Sequence, residues 1–433
     1  MTQFKSKALQ ELSDRGFIYQ CTDLDALDAA MAEKPITFYC GYDATADSLH
    51  IGNLLTIMAA RIMQRHGHKP LMIVGGGTSK IGDPTGRSKE RNLLDDAAVD
   101  GHIDGIKKSL QPFIDFNDES PNGALLLNND TWLQDLKYLD FLRAYGPHFT
   151  INRLLTFDSV RTRLERESPL SFLEFNYILI QAYDFLYLNR NYTCQLQIGG
   201  SDQWANMLNG YELIRKLEKS PSFALTLPLI ENSEGEKMGK TAAGAVWINS
   251  DKLPALDYWQ FWRNVSDQDV LKLVRLYTDL SMDDIQPYEK LKGADLNKAK
   301  ILLADQTTTL AHGKDVLSAI HATVGAHFSK EEQNLEVDGH DDAGNPLIKT
   351  AAPILQLKAS DIEAGYGLVQ ALVQLGFAKS NGEARRLIQG GGCRINDEKI
   401  VEERSLKNTD IRTPGVIKIA AGKKKLGYIQ VLS

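Results

Sequence analysis

Residues 36–43 read "ITFYCGYD", residues 44–53 "ATADSLHIGN" and residues 54–67 "LLTIMAARIMQRHG". The first run is short, apolar and β-prone. The last keeps apolar residues at helical spacing, so the stretch predicts a strand, a turn and a helix. A histidine, a glycine and an asparagine crowd that turn. A helix start offers unpaired N–H groups and the positive end of the helix dipole, which suit a phosphate. Gly52 lets the backbone approach a nucleotide closely, and His50 can present a donor to phosphate oxygens. On its own, such a histidine is also an ordinary surface group, so the rest of the chain must decide.

The same alternation continues through the first half. "PLMIVGGG", "GALLLNN", "TCQLQIGG" and "ALTLPLI" read as strands, and "LEFNYILIQAYDFLYLNR" between them reads as a helix. Strand–helix alternation predicts an α/β fold with a Rossmann-like, mostly parallel sheet. "GGSDQ" (residues 199–203) ends a strand and opens a helix, where open sheets of this kind bind ligands. Tyr177, Gln181 and Asp184 stand four and three residues apart, so one helix face can hold all three. From about residue 251 to 328 the strand signal disappears and helical periodicity takes over. "KEEQNLEVDGHDDAGNPLIKTAAP" then reads as a polar linker. The expected organisation is a catalytic domain over 1–245, a helical domain over 246–328, a linker over 329–365 and a small α+β domain over 366–433.

At 433 residues the chain is long enough for two or three domains. Its net charge of −7 gives no general case for nucleic-acid binding. The last segment differs: residues 366–433 carry twelve Lys or Arg against six Asp or Glu, a local net of +6 on an otherwise acidic chain. That is the charge footprint of local nucleic-acid contact. Cys21, Cys40, Cys194 and Cys393 are scattered without a CxxC pair, which argues against protein-bound zinc and a disulfide framework. The N-terminus lacks a signal-peptide core and no window has the apolar length to span a bilayer, so a cytoplasmic protein without membrane contact is expected.

A second phosphate-suited element lies at residues 235–241, "GEKMGKT". Lys237 and Lys240 flank a glycine and Thr241 closes the run. Two ammonium groups and a hydroxyl on a flexible loop can follow charge developing on a polyphosphate. Taken alone, it also reads as an exposed basic turn. It is not a phosphate-binding GxxxxGK[ST] loop.

Together, "HIGN" and "KMGKT" resemble the HIGH and KMSKS signatures of class I aminoacyl-tRNA synthetases. "YCGYDATADSLHIGN", "VGGGTSKIGDPTGRSKER", "FNYILIQAYDFLYL" and "LQIGGSDQWANM" sharpen the resemblance to the bacterial tyrosyl-tRNA synthetases. The likeness runs from about residue 17 to 432. It implies that Tyr39 and Asp184 hold a phenol and that Asp83, Tyr177 and Gln181 hold an ammonium group. Gln203 would lie on the carboxyl side of L-tyrosine and Asp202 on the ribose of ATP. Thr45 and His50 would contact the phosphates, with Gly52, Asn53, Lys237, Lys240 and Thr241 beside them and Mg2+ carried by the phosphates. Arg87, Lys89 and Arg91 would form a basic loop over pyrophosphate or the acceptor end of tRNA. Asn53 replaces the second histidine of HIGH, and Gly239 replaces the serine of KMSKS. "GLVQALVQLGFAKSNGEARRLIQGGGCRINDEKI" resembles the S4 RNA-binding domain. Ser380 would cap its helix, while Arg385, Arg386, Lys423, Lys424 and Lys425 would meet phosphates of tRNA(Tyr). The resemblance also implies a homodimer with one tRNA bridging both subunits. The alternatives are a tryptophanyl-type enzyme and a synthetase-derived RNA-binding or splicing cofactor.

Overall fold

The computed structural model describes residues 3–83, 96–231, 238–241, 244–328, 337–340, 346–348, 350, 352–422 and 425–432. Chain contacts divide it into two compact units: Met1–Leu253 with Tyr258–Ala311, and Pro254–Asp257 with His312–Ser433.

The first unit is built on a six-stranded sheet of β1 (Gln20–Cys21), β2 (Thr37–Asp43), β3 (Lys69–Gly75), β4 (Leu125–Asn128), β5 (Cys194–Gly200) and β6 (Phe223–Leu227). Its order is β1-β6-β5-β2-β3-β4, and every pairing is parallel except β1 with β6. The expected parallel α/β architecture is therefore present. From β2 the chain moves outward through β3 and β4, then returns to β5 on the other side of β2 and continues to β6. The order reverses between β2 and β5, which opens a crevice at their carboxyl ends.

Four helices position the crevice: α1 (Ile51–Arg65), α2 (Asp96–Leu110), α3 (Phe172–Tyr192) and α4 (Trp204–Leu217). Helix α3 starts at a reciprocal cap in which Ser171 Oγ accepts from the Glu174 N–H at 3.2 Å and Glu174 accepts from the Ser171 N–H at 3.3 Å. It ends at Thr193, whose positive φ turns the chain into β5. Side chains alternate across the sheet. On one face Tyr39, Leu71 and Ile73 pack with Ala182, Phe185 and Leu186 of α3 and Leu213 of α4. Burying each of the large apolar side chains stabilises the layer by about 1.5–3 kcal/mol. The helices α5 (Ala255–Arg263), α6 (Val270–Tyr277) and α7 (Leu296–His312) follow, as periodicity predicts, and Tyr258–Ala311 packs within the same unit as the sheet. Trp262, Tyr258 and Tyr277 are fully buried there. Two short strands, β7 (Lys240–Thr241) and β8 (Gly244–Ala245), form a separate antiparallel pair.

In the second unit, β9 (Val337–His340) pairs with β10 (Pro346–Ile348), and a five-stranded sheet has the order β11-β15-β14-β12-β13. These strands are β11 (Ile354–Lys358), β12 (Cys393–Ile395), β13 (Glu398–Ile400), β14 (Val416–Ala421) and β15 (Lys425–Leu432). Strand β11 lies in the stretch read as linker, yet it pairs in parallel with β15 over five residues. Its apolar run is only Ile354, Leu355 and Leu357 between polar neighbours, and its partner is some seventy residues away, so local pattern hides it. Helices α8 (Leu368–Gln374) and α9 (Asn381–Gln389) cover the sheet through Leu368, Leu372, Ala384 and Ile388 against Ile395, Ile417 and Ile429. Ser380 caps α9 by accepting from the Glu383 N–H at 3.3 Å. Asn396 and Asp397, both at positive φ, make the tight turn from β12 to β13.

Among the described residues no helix is long and apolar enough to cross a membrane.

Candidate active site

The crevice at the β2–β5 reversal is a cleft of about 390 Å³. Its closed end is made by side chains fixed on strands and on α3. Tyr39, on β2, is buried, and its ring lies 5.4 Å from that of Phe185. Asp184, on α3, is also buried. Its Oδ1 accepts from Trp132 Nε1 at 2.8 Å and its Oδ2 from Asn129 Nδ2 at 2.9 Å. Burial pushes the Asp184 carboxyl up to about 7, against the pull of those two donors. Burial, with the charge of Asp184, likewise holds the Tyr39 phenol well above its usual range. Asn129 Nδ2 also reaches Thr78 Oγ1 at 3.1 Å, and Thr78 donates to Asp43 Oδ1 at 3.1 Å. The Tyr177 hydroxyl reaches the same Asp43 oxygen at 3.4 Å. One polar chain thus runs from Trp132 through Asp184 to Tyr177.

A second chain crosses the middle of the cleft. Gln203 Nε2 donates to Asp83 Oδ2 at 2.8 Å, while Gln203 Oε1 accepts from Asn206 at 3.1 Å and from Gln181 Nε2 at 3.4 Å. Asp83, Tyr177, Gln181, Asp184, Gln203 and Tyr39 all line one cavity. Three buried polar atoms on its walls have no partner among the described residues: Tyr39 Oη, Gln181 Oε1 and Gln197 Oε1. Buried polar groups are almost always paired, so orphans gathered in one cleft mark a place for a polar ligand. Asp202, in the turn between β5 and α4, lines the same cavity.

The open end answers the question raised by the crowded turn. His50 is the N-cap of α1: its Nδ1 accepts from the Gly52 N–H at 3.0 Å, and its own N–H donates to Asn53 Oδ1 at 3.2 Å. An accepting Nδ1 leaves the proton of a neutral ring on Nε2. Asparagine in place of the second histidine therefore completes a reciprocal helix cap. Gly52 is needed for space, since a Cβ there would stand 2.8 Å from His50 Cε1 and 3.3 Å from the Met238 carbonyl oxygen. Gly239, at φ +106°, packs on the same spot; its Cβ would lie 2.9 Å from Gly52 N. The two signature motifs thus meet glycine to glycine.

Behind that contact the chain is zipped. The Ile51 N–H donates to Val246 O at 3.0 Å, the Ile248 N–H to Leu49 O at 2.9 Å and the Val246 N–H to Gly239 O at 3.1 Å. Buried Asn249 anchors the junction. Its N–H donates to Ser48 Oγ at 3.2 Å, its Nδ2 to Gly105 O at 2.9 Å, and its Oδ1 accepts from Ser109 Oγ at 2.9 Å.

Other expected site residues fall elsewhere. Thr45 is exposed on the loop before α1 and does not line the cleft. Lys240 and Thr241 form the backbone of β7. Lys237, Arg87, Lys89, Arg91, Lys423 and Lys424 lie outside the described residues. In the second unit Arg385 and Arg386 are exposed on α9, with Arg385 3.0 Å from Glu403, and Lys425 Nζ donates to Phe377 O at 3.0 Å. Sequence reading missed Asp43, Thr78, Asn129, Trp132 and Gln197. All five lie in or beside strands noted for their apolar runs, and only the three-dimensional register brings Asp43, Thr78, Asn129 and Gln197 to one cavity, with Trp132 behind it on Asp184.

The chain matches the model of the tRNA synthetases class I (W and Y) over residues 31–329. It is 48% identical over 429 residues to the tyrosine–tRNA ligase of Caulobacter vibrioides (strain NA1000 / CB15N), covering 99% of each chain. Identity to the tyrosine–tRNA ligase of Rhodospirillum rubrum is 46% over 432 residues, covering the whole of both. Among solved structures, a C-terminally truncated mitochondrial tyrosyl-tRNA synthetase of Aspergillus nidulans superposes with a TM-score of 0.67 at 28% identity, over 74% of this chain and 94% of that one. Full-length likeness to tyrosine enzymes sets the tryptophanyl alternative aside. With a parallel sheet, a cleft at its switch point and both signature motifs meeting above it, the chain belongs to the class I tRNA synthetases and, within them, to the tyrosine–tRNA ligases.

Proposed function

We propose that this cleft joins L-tyrosine to AMP using ATP and then passes tyrosine to the terminal ribose of tRNA(Tyr). The observation that carries the assignment of the closed end is the pairing of an unpartnered Tyr39 hydroxyl with the buried Asp184 carboxyl. Such a site penalises a ligand without a hydroxyl, because its polar groups then stay unpaired. Asp83, Tyr177 and Gln181 take the ammonium group and Gln203 the carboxyl side. The tyrosine carboxylate, already ionised, attacks the α-phosphorus of ATP. A C–O–P link forms, the bond to the β-phosphate oxygen breaks and pyrophosphate departs, with no general base required.

The residues act by position and charge. Asp202 holds the ribose. Gly52 admits the nucleotide, while His50 Nε2 and the start of α1, with Asn53 completing its cap, face the phosphates. Thr45 would join them where the phosphates extend beyond the cleft. Lys237, Lys240 and Thr241 follow the charge that develops on the leaving pyrophosphate. Arg87, Lys89 and Arg91 extend the cationic path. Mg2+ arrives with the ATP phosphates rather than in a protein cage.

Residues 246–328 are proposed as the anticodon-side helical domain, and residues 366–433 as an S4-like module. There Arg385, Arg386 and the Lys423–Lys425 run neutralise tRNA phosphates. Exposed Tyr138, Leu139, Ile151, Leu155, Leu164, Phe172 and Leu173 all fall between residues 138 and 173, which favours a homodimer covering this segment. Four free thiols fit a cytoplasmic protein. Tyrosine-dependent exchange of labelled pyrophosphate into ATP is the decisive assay. Exchange that requires tyrosine is expected, and tRNA binding without any exchange would favour an RNA-binding cofactor instead.

A further inference from the structure

The turn from Ala44 to Leu49, which leads into His50, has no helix or strand of its own. Its path is set by what its backbone groups bond to and by what it lies on. It lies along one face of α2, where His102, Gly105 and Ser109 stand three and four residues apart. The three meet the turn in order. His102 Nδ1 donates to Ala44 O at 2.7 Å; a carbonyl can only accept, so the ring carries a proton there. At Gly105 the two backbones touch: a Cβ on Gly105 would stand 1.9 Å from Asp47 O and 2.8 Å from Asp47 Cα. Ser109 Oγ accepts from the Leu49 N–H at 2.9 Å. Glycine weakens a helix interior, so α2 gives up stability of its own where the turn must come close.

The first of these contacts pins a peptide at both of its polar atoms. Ala44 O is held by His102, and the N–H at the other end of that peptide, from Thr45, donates to Asp43 O at 2.9 Å. One peptide earlier, the Ala44 N–H donates to Ser79 Oγ at 2.7 Å. A peptide unit is planar, so these bonds fix how the chain leaves the fully buried Ala44 and how the exposed Thr45 is aimed. Surface loops are ordinarily held more loosely. We propose that His102 is a positioning residue for adenylate formation, acting through Thr45. The inference rests on the reading above, in which Thr45 meets the phosphates where they extend beyond the cleft. His102 itself does not line the cleft. It touches no substrate and holds the peptide from which a hydroxyl is aimed at the charge developing on pyrophosphate. A misplacement of about 1 Å in such a group can cost on the order of 100-fold in rate.

The test is a double-mutant cycle in the full-length protein: His102→Leu, Thr45→Ala and the two together. The rate of adenylate formation is read by stopped flow at saturating tyrosine and ATP, well below every melting temperature. Leucine removes the donor at similar volume, and the rate should fall about 10-fold while tyrosine affinity stays within about 2-fold. Thr45→Ala should cost at least about 10-fold. If His102 acts through Thr45, adding His102→Leu to Thr45→Ala should cost less than about 2-fold more, because the group it aims is gone. His102→Asn puts an N–H at the position of Nδ1 and should recover the rate to within about 3-fold of the unaltered protein. A merely structural histidine would lower the melting temperature without this non-additivity or this rescue. Should His102→Leu not fold, His102→Gln takes its place, since its amide reaches past Nδ1. An unchanged rate without the donor, a loss that persists in full in the Thr45→Ala background, or an asparagine variant as slow as the leucine one would each overturn the inference. In those cases a slowed Thr45→Ala leaves the phosphate reading of Thr45 standing. An unchanged rate in Thr45→Ala would overturn both.

Discussion

The two ends of the cleft are built by different means. At the closed end, Tyr39, Asp184, Asn129, Trp132 and Gln197 project from strands, a long helix and their immediate margins, and the first four are held by side-chain hydrogen bonds or packed rings. At the open end, backbone and glycine dominate: a capped helix start, a Gly52–Gly239 contact and main-chain bonds from residues 246–248. The difference follows from the tasks. Telling one amino acid from another needs groups that cannot relax around the wrong ligand. Stabilising a moving phosphoryl group needs donors and cations that follow charge as it develops. Changes at the closed end should therefore alter which amino acid is used, and changes at the open end how fast.

The largest expected break is Asp184→Asn. Tyrosine activation should fall by about 100-fold or more, because the substrate loses a charge-assisted bond in a dry site. The same substitution has a signature without substrate. The native carboxyl holds its proton up to about pH 7, whereas in the unfolded chain it releases it near pH 4. Between these values the native state binds more protons, so this group's contribution to stability is full below pH 4 and is lost as the pH rises to about 7. Thermal melts of Asp184→Asn should lose this part of the pH dependence. A melting curve with the same pH slope as the unaltered protein would show that Asp184 is not the group titrating there.

Gly52→Ala should break the open end instead. The new Cβ would meet the His50 ring below 3 Å, forcing the ring from its capping position. We expect adenylate formation to slow by roughly 10- to 100-fold, as for loss of one oriented transition-state donor. Tyrosine affinity, measured by equilibrium dialysis, should stay within about 2-fold. A comparable loss of affinity would mean that the two ends are not separable.

Much of this division was legible in the sequence. Spacings of four and three put Tyr177, Gln181 and Asp184 on one face of α3, and "HIGN" marked the start of α1. Helical period and chain order carry that information directly. Asn129 and Trp132 could not be read in the same way, because their partner Asp184 lies more than fifty residues away and nothing in "NNDTW" hints at it. Gln197 was hidden in an apolar strand, where its meaning depends on pairing with Tyr39. Strand β11 was hidden for the same reason. Thr45, named by motif likeness, is exposed on the loop before α1 and outside the cleft lining, so geometry adds nothing to that likeness.

Lys240→Ala sharpens the comparison further. Loss of a cation that acts on developing charge should cost about 10-fold in the rate of adenylate formation, with little change in tyrosine affinity. Stopped-flow measurement of the first turnover separates the two. Equal losses in both would place Lys240 in ground-state binding.

The smallest effect is expected where the open end is anchored. Asn249 contacts no proposed substrate group, yet it ties Ser48, Gly105 and Ser109 to the chain that returns from Gly239. Asn249→Ala removes three side-chain bonds, to Gly105 O and Asp47 O and from Ser109 Oγ, in a buried setting. That should cost about 1–3 kcal/mol of stability through unsatisfied partners. With the anchor loosened, the Gly239 segment would spend less time seated on Gly52, so the adenylation rate should fall a few-fold. The closed end shares none of these bonds, so tyrosine affinity and the preference over phenylalanine should not move. Measuring all four quantities on the one variant tests the division most finely. Lost stability with an unchanged rate would make Asn249 a structural residue alone, and a narrowed preference would show that the anchor also reaches the floor of the cleft.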